Sequence, residues 1–205
     1  MSTTPHALPS RRATDLGVGA RFSLHPHCDD YVEVISSALA AADRSRVEVR
    51  TDDVSTFVRG SEQDVVRYVH GVLAAAGGTR WHVVAHLLLS RGCPGEVACE
   101  LPDDALLDAV AVPELAPTGL AASAHWALYP LDDTGGDHLD QIMTAIGTAG
   151  SRATTSPEHF VTRLDGDLSD VLTAVAAGWL EAARHARHVV THVTLSLHSP
   201  SAGAR

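Results

Sequence analysis

No stretch of the 205-residue sequence approaches the ~18 to 20 continuous apolar residues that a membrane-spanning helix needs. Met1 to Arg12 also holds no apolar segment of signal-peptide length. A cytoplasmic protein without membrane insertion is therefore expected. Cysteine is scarce: Cys28, Cys93 and Cys99 are odd in number and irregular in spacing, which suits neither a disulfide framework nor a zinc pattern. They read as reduced, semi-buried thiols. Lys and Arg number 15 against 25 Asp and Glu, for a formal charge of −10, and no basic cluster of useful length occurs. Phosphate binding needs a basic face, so nucleic acid is excluded as the main partner. The acidic balance leans towards a cationic or neutral ligand while mostly serving solubility. Catalytic signatures are missing too: there is no nucleophile elbow, P-loop or GxGxxG. Gly92-Cys93-Pro94-Gly95 has one cysteine where a redox pair needs two, and reads as a tight turn closing a strand.

What is present is a duplication. Hydrophobic residues make up 45% of the chain, ample for a packed core. Aromatics are only 4%, yet Phe22, Trp126 and Tyr129 fall close to corresponding places in two halves. Ala20, Phe22, Leu24 and Pro26 of GARFSLHP match Ala124, Trp126, Leu128 and Pro130 of SAHWALYP. After a three-residue insertion in the Asp132 to Asp137 loop, Ile35 and Ala38 match Ile142 and Ala145. Thr56, Gly60, Asp64 and Val65 then match Thr162, Gly166, Asp170 and Val171, and His82, His86, Ser90 and Pro94 match His188, His192, Ser196 and Pro200. Such sustained correspondence marks an internal repeat. It divides the chain into a disordered arm at 1–16, a first repeat at 17–95, a linker at 96–120 in which Ala105 to Val110 has the length of a helical turn or two, a second repeat at 121–200 and a tail at 201–205.

Each repeat reads strand, helix, strand, strand, helix, strand. Arg21 to His25 alternates; Asp29 or Asp30 can cap a helix with Tyr31, Ile35 and Leu39 at helical spacing. Val47 to Thr51 and Val54 to Arg59 form a hairpin, and Ser61 with Asp64 opens a second helix with the stripe Val65, Val69 and Leu73, ended by Gly77-Gly78. Trp81 to Ser90 is the last strand; in the second repeat, Asp167 precedes the stripe Leu168, Val171, Val175 and Trp179. The expected class is α+β, as tandem ferredoxin-like (βαββαβ, ACT-like) repeats with antiparallel sheets, two helices covering one sheet face in each.

Strand period two decides what the other face shows. If Phe22 and Leu24 face the helices, Arg21, Ser23 and His25 face away; His82, Val84, His86, Leu88 and Ser90 do the same on the last strand. The second repeat exposes His125, Ala127 and Tyr129, with His188, His192, Thr194 and Ser196. Hydroxyls and imidazoles in this pattern suit a flat, hydrogen-bonding ring; a plainly solvated polar face is the alternative. Val84 and Leu88 on that face call for cover by the other repeat, a second subunit or ligand. Thirteen histidines invite a metal, but residues i and i+4 on a strand lie about 13 Å apart, too far to share one ion. Neither metal nor cofactor is expected. Thr51-Asp52-Asp53-Val54-Ser55-Thr56 sets two carboxylates among hydroxyls at the join of two strands. It is a hairpin turn, or a carboxylate placed to accept from an exocyclic amino group or a protonated ring nitrogen.

The segments ARFSLHPHCDDYVEVI, TDDVSTFVRG and HVVAHLLLSRGCPG, with ALYP, LDGD and HVVTHVTLSLHSPS in the second repeat, resemble the YkoF family of thiamin- and hydroxymethylpyrimidine-binding proteins. The resemblance spans nearly all of residues 17–200. It implies a homodimer that holds the pyrimidine of its ligand without chemistry, in thiamin-precursor uptake or salvage. Face and motif then single out Ser23, Thr51, Asp52, Asp53, Ser55, His86 and Ser90 in the first repeat, and Tyr129, His159, Thr162, His192 and Ser196 in the second, with Phe22, Trp126 or Tyr129 as stacking surface. The family pattern FSLYP is kept at Tyr129 but has His25 in the first repeat, and Pro157-Glu158-His159 replaces Thr51-Asp52-Asp53 in the second. Two related sites of unequal quality are expected. The competing reading is an ACT-like regulatory module that binds an amino acid at a repeat or subunit interface.

Overall fold

A computed structural model describes residues 17–92, 109–131 and 138–202. The expected arm at 1–16, Cys93, Cys99 and the first part of the linker lie outside the described residues; Ala109 and Val110, at the end of the expected helical turn, are not helical.

The first repeat runs β1 (Gly19–Pro26), α1 (Tyr31–Ala41), β2 (Glu48–Thr51), β3 (Thr56–Arg59), α2 (Glu62–Gly77) and β4 (Val83–Arg91). The second runs β5 (Ala121–Leu131), α3 (His138–Ala149), β6 (Thr154–Glu158), β7 (Val161–Asp167), α4 (Leu168–Ala182) and β8 (His188–Leu197). All eight strands join one antiparallel sheet in the order β2-β3-β1-β4-β8-β5-β7-β6. The chain is thus two ferredoxin-like units fused edge to edge through β4 and β8. The second unit extends the first unit's sheet and leaves its open face uncovered.

Registers repeat between the units. Phe22↔Thr56 corresponds to Trp126↔Thr162, and Ser23↔His86 to Ala127↔His192. At the seam, Leu87 pairs with its own counterpart, Val193, so a local two-fold axis passes through that pair. The expected phase holds: Ala20, Phe22 and Leu24 are buried while Arg21 and His25 are exposed, and Val83, Ala85, Leu87 and Leu89 are buried while His86 and Leu88 are exposed. One apolar core runs under both units. Phe22 and Trp126 belong to it, at 3% and 2% exposure, so neither ring is free to stack on a ligand by its face as the sequence had suggested. Trp126 Nε1 donates to Thr191 Oγ1 (2.6 Å), which donates to the Ala127 carbonyl (2.8 Å), so these buried polar groups are paired. Gly178 on α4 admits the Trp126 ring, since a Cβ there would overlap its Cη2.

Helix starts follow the sequence with one departure. Ser61 caps α2, its hydroxyl accepting from Asp64 N (3.1 Å) and donating to Asp64 Oδ2 (2.6 Å), a variant of the capping box in which the carboxylate meets the cap's hydroxyl. Asp167 caps α4. Asp30 stands at the start of α1 but makes no side-chain cap bond. β4 begins at Val83 rather than Trp81, after Arg80 adopts a left-handed backbone (φ 64°) that turns the chain before the strand can pair.

Asp167 also anchors the chain entering the second unit. Its carboxylate accepts from Ser169 N (2.8 Å), Thr118 N (3.2 Å), the Thr118 hydroxyl (3.0 Å) and Gly119 N (2.6 Å). Burial pushes this carboxyl up, but the hydrogen bonds from Ser169 and Thr118 outweigh it and hold the pKa at about 2, below the ordinary 3.8. A depressed folded-state pKa means that the stabilisation is complete above about pH 4 and is lost as pH falls towards 2. Chemical unfolding from pH 5 to pH 2 is expected to show that loss, with a shallower slope in Asp167→Asn. Equal slopes would contradict the role.

Candidate functional site

The ladder between β1 and β3 stops at Phe22↔Thr56, whereas that between β1 and β4 continues to Pro26↔Val83. From Ser23 onward the outer edge of β1 therefore faces a gap. The hairpin loop Asp52 to Ser55 bends over one side of that gap, and α1 walls the other. The result is a cleft of about 430 Å³, lined by β1 from Phe22 to Pro26, by Tyr31, Ile35 and Leu39 of α1, and by Thr51 to Thr56. Its volume falls in the range of small-molecule sites, and its walls mix apolar side chains with a few polar groups.

Side chains hold the hairpin tip in place. Asp52 Oδ1 accepts from Val54 N and Ser55 N, both at 2.9 Å, forming an Asx turn. Arg21, reaching across from the open face, donates to Asp52 Oδ2 (2.9 Å) and to Ser55 Oγ (2.8 Å), and its guanidinium lies 5.7 Å from the centre of the Phe57 ring. Hydrogen bonds from the Ser55 and Val54 backbone, then from Arg21, hold the Asp52 carboxyl at about 2. Asp52 is thus used up in shaping the loop. Its neighbour Asp53 is exposed and makes no hydrogen bond or ion pair among the described residues, so it is the carboxylate available to a ligand. Thr51 Oγ1 and Thr56 Oγ1 bond one another (3.0 Å), on the helix side of the sheet.

The structure gathers five of the expected first-repeat residues, Ser23, Thr51, Asp52, Asp53 and Ser55, around this cleft. The other two, His86 and Ser90, project from β4 onto the open face, outside it. His192 and Ser196 do the same from β8. These four flank the seam: His86 Nδ1 meets Thr194 Oγ1 (3.2 Å), and Ser196 Oγ meets His82 Nε2 (3.0 Å). In the second repeat, Tyr129, His159 and Thr162 occupy the positions of His25, Asp53 and Thr56, on the segments that build the first cleft. The β5 to β7 ladder likewise stops at Trp126↔Thr162 while β5 stays paired with β8 to Leu131↔His188. Tyr31, Ile35 and Leu39, which wall the cleft, stand in the sequence only as a helix stripe, and Arg21, which braces the hairpin tip from outside the lining, only as an outward-facing strand residue.

Histidines line the open face in cross-strand contacts. The His27 and His82 rings are centred 4.4 Å apart, His25 and His86 5.4 Å, and His86 and His192 6.3 Å. Burial, then repulsion from His27 and His198, lowers the pKa of His82. Among the described residues no group of three or more His, Cys, Asp or Glu is placed to hold a metal ion. A second cleft, of about 530 Å³, lies at the far end of α1 and includes Asp43, Arg46, Asp64 and Arg67. Asp64 there pairs with Arg67 (3.4 Å) and Arg46 (3.9 Å) besides pairing with Ser61.

Fused ferredoxin-like units, with a ring-sized cleft where the first ladder opens and the same strand geometry in the second, define a tandem-repeat protein of the ferredoxin-like, ACT-like kind. Comparison with known proteins makes this particular. The model of the YKOF-related family matches residues 17–96 and 121–202, and the chain belongs to that family. It is 36% identical over 188 residues to the protein of Bacillus subtilis (strain 168) named "Putative HMP/thiamine-binding protein YkoF", covering 89% of this chain and 91% of the relative. Among the described residues no helix is long and apolar enough to cross a membrane.

Proposed function

We propose that this protein binds thiamin or its hydroxymethylpyrimidine moiety without chemical change, as a cytoplasmic homodimer serving thiamin-precursor uptake or salvage. The observation that carries the reading is the first cleft, where an uncommitted carboxylate, Asp53, stands beside hydroxyls and an unpaired strand edge. An aminopyrimidine presents N–H donors and ring-nitrogen acceptors along one edge. Asp53 accepts from the amino group, Ser23 and the backbone edge of β1 offer complementary partners, and Tyr31, Ile35 and Leu39 cover the ring. Ser23 Oγ and His25 Nε2, both at the cleft, bond one another (3.0 Å), and in this reading the pair serves as a polar contact for the ligand rather than as nucleophile and base. The homodimer reading rests on the open face, where Leu88 and Val84 lie uncovered between histidines. An amino-acid-binding regulatory module would place its ligand between repeats or subunits, whereas this cleft lies within one repeat.

Calorimetry with thiamin, hydroxymethylpyrimidine and the thiazole portion alone tests the reading. Heat is expected from the two pyrimidine-bearing compounds, and its absence at millimolar concentration would sink it. Asp53→Ala is expected to raise the first-site Kd about tenfold or more, the scale of a hydrogen bond to a charged group. Asp64→Ala, which removes a partner of the α2 cap, is expected to leave that Kd within about twofold while lowering stability by about 1 kcal/mol. Equal affinities in the two folded variants would contradict the assignment of Asp53.

A further inference from the structure

The cleft of about 530 Å³ at the far end of α1 shares no lining residue with the site proposed above. Its walls carry four charges that sum to zero: Asp43, Arg46, Asp64 and Arg67. Asp43 and Arg46 stand on the join between α1 and β2, and Asp64 and Arg67 on the first turns of α2. Ala42, Val47 and Gly71 add a small apolar surface between them.

These charges satisfy one another only loosely. Arg67 Nη1 stands 3.4 Å and Arg46 Nη1 3.9 Å from the same oxygen, Asp64 Oδ1, while Asp64 Oδ2 accepts from the Ser61 hydroxyl. A charge-assisted bond from a guanidinium to a carboxylate is shorter, about 2.7–2.9 Å, and each guanidinium has five donors. Two cations therefore lean on one acceptor, and at 46% and 76% side-chain exposure both can reach a second anion. The opposite wall has the other sign. Asp43 Oδ1 accepts from Ser45 N (2.9 Å), which holds the carboxylate just beyond the end of α1. Ala41 and Ala42, where α1 stops, also line the cleft. Carbonyls of a last helical turn lack partners within the helix and carry partial negative charge, which suits a cation.

The repeat folds without this set. The second unit keeps Arg152 and Asp170 at the positions of Arg46 and Asp64, but has Gly150 and Thr173 for Asp43 and Arg67, and Ala177 for Gly71. The balanced charges are therefore a property of the first unit rather than a demand of the fold.

We propose that this cleft binds a small α-amino acid as its zwitterion. The carboxylate bridges Arg46 and Arg67, the ammonium meets Asp43 and the carbonyl end of α1, and a short aliphatic side chain lies on Ala42, Val47 and Gly71. A plain anion would face Asp43 and Asp64 with nothing to offset them, and a plain cation would face the two arginines. The site is independent of the thiamin-related binding proposed above.

Calorimetry of the full chain with leucine tests it, beside isocaproate, which lacks the amino group, and isopentylamine, which lacks the carboxylate. Leucine is expected to give one binding step with a millimolar or tighter Kd, and each partial probe to bind at least about tenfold more weakly, the scale of one hydrogen bond to a charged group. Arg67→Thr and Asp43→Gly install the residues that the second unit carries. Both variants are expected to fold and to weaken leucine binding about tenfold, while the affinity for hydroxymethylpyrimidine stays within about twofold of wild type. No heat from leucine at about 10 mM, isocaproate binding as well as leucine, or wild-type leucine affinity in Arg67→Thr would overturn the proposal and leave the function above intact. Loss of leucine binding in Asp53→Ala would overturn it too, by placing leucine in the first cleft.

Discussion

Arg91→Ala is expected to lower the unfolding free energy by about 3–5 kcal/mol, whereas the double variant Glu62→Leu/Arg91→Leu should recover to within about 1 kcal/mol of wild type or exceed it. Arg91 ends β4 and Glu62 opens α2; Arg91 Nε donates to Glu62 Oε1 at 2.7 Å, and the two side chains are 3% and 6% exposed. Arg91 Nη1 also reaches the Ala183 carbonyl at the end of α4 (3.4 Å), so the pair fastens the first unit to the second. Removing the guanidinium leaves a carboxylate in the core with nothing to balance its lost hydration. Replacing both partners removes the charge as well as its counter-charge. The protein already contains the outcome of that replacement, because the counterparts of Glu62 and Arg91 are Leu168 and Leu197, both fully buried. Denaturant unfolding of the three variants, at unchanged m-value, measures the difference. A loss under about 1 kcal/mol for Arg91→Ala would show that the pair is solvated in solution.

Local patterns carried the repeat, the six elements in each half and the phase of every long strand, because alternation and helical spacing are properties of neighbouring residues. They also brought Ser23 together with Thr51, Asp52, Asp53 and Ser55. What escaped was decided by where pairing stops. Period two says which side of a sheet a residue faces and nothing about which end of the strand lies open. His86, Ser90, His192 and Ser196 were therefore placed on the correct face yet stand at the seam, away from the cleft formed where the β1 to β3 ladder ends at Phe22↔Thr56. Arg21 looked like any outward residue, since Asp52, its partner, lies 31 positions along the chain. Nor does alternation choose an edge partner: β4 could have remained an edge, and its pairing with β8 depends on two strands whose counterpart positions meet at Leu87 and Val193. In a sequence with few aromatics Trp126 looks like a stacking ring; its burial depends on the space that Gly178 leaves on α4.

The seam carries the remaining large effect. Gly92→Ala is expected to cost about 2–5 kcal/mol, combining a left-handed backbone penalty of about 1–2 kcal/mol with an overpacking cost of about 1–3 kcal/mol. Gly92 leaves β4 with φ 75°, and a Cβ added there would overlap the Arg187 carbonyl oxygen and lie 3.0 Å from its carbon. Those atoms belong to the backbone just before β8, so no rotamer change can clear them. The two-fold relation gives an internal comparison. The counterpart of Gly92 is His198, which also takes a left-handed backbone, φ 54°, but carries a side chain whose Nε2 bonds to the Gly77 carbonyl at the end of α2 (2.8 Å). One end of the seam is thus closed by a residue with no side chain and the other by an imidazole clasp. His198→Gly should relieve the backbone while losing the clasp, for a net change under about 1 kcal/mol. Gly92→Asn separates the two costs at the sensitive end, since Asn tolerates the left-handed region but still brings a Cβ. If thermal and denaturant unfolding place Asn beside Ala, the Arg187 carbonyl sets the requirement for glycine. If Asn recovers most of the loss, the backbone angle does, and a Gly92→Ala protein as stable as wild type would mean that the strands part at this end of the seam.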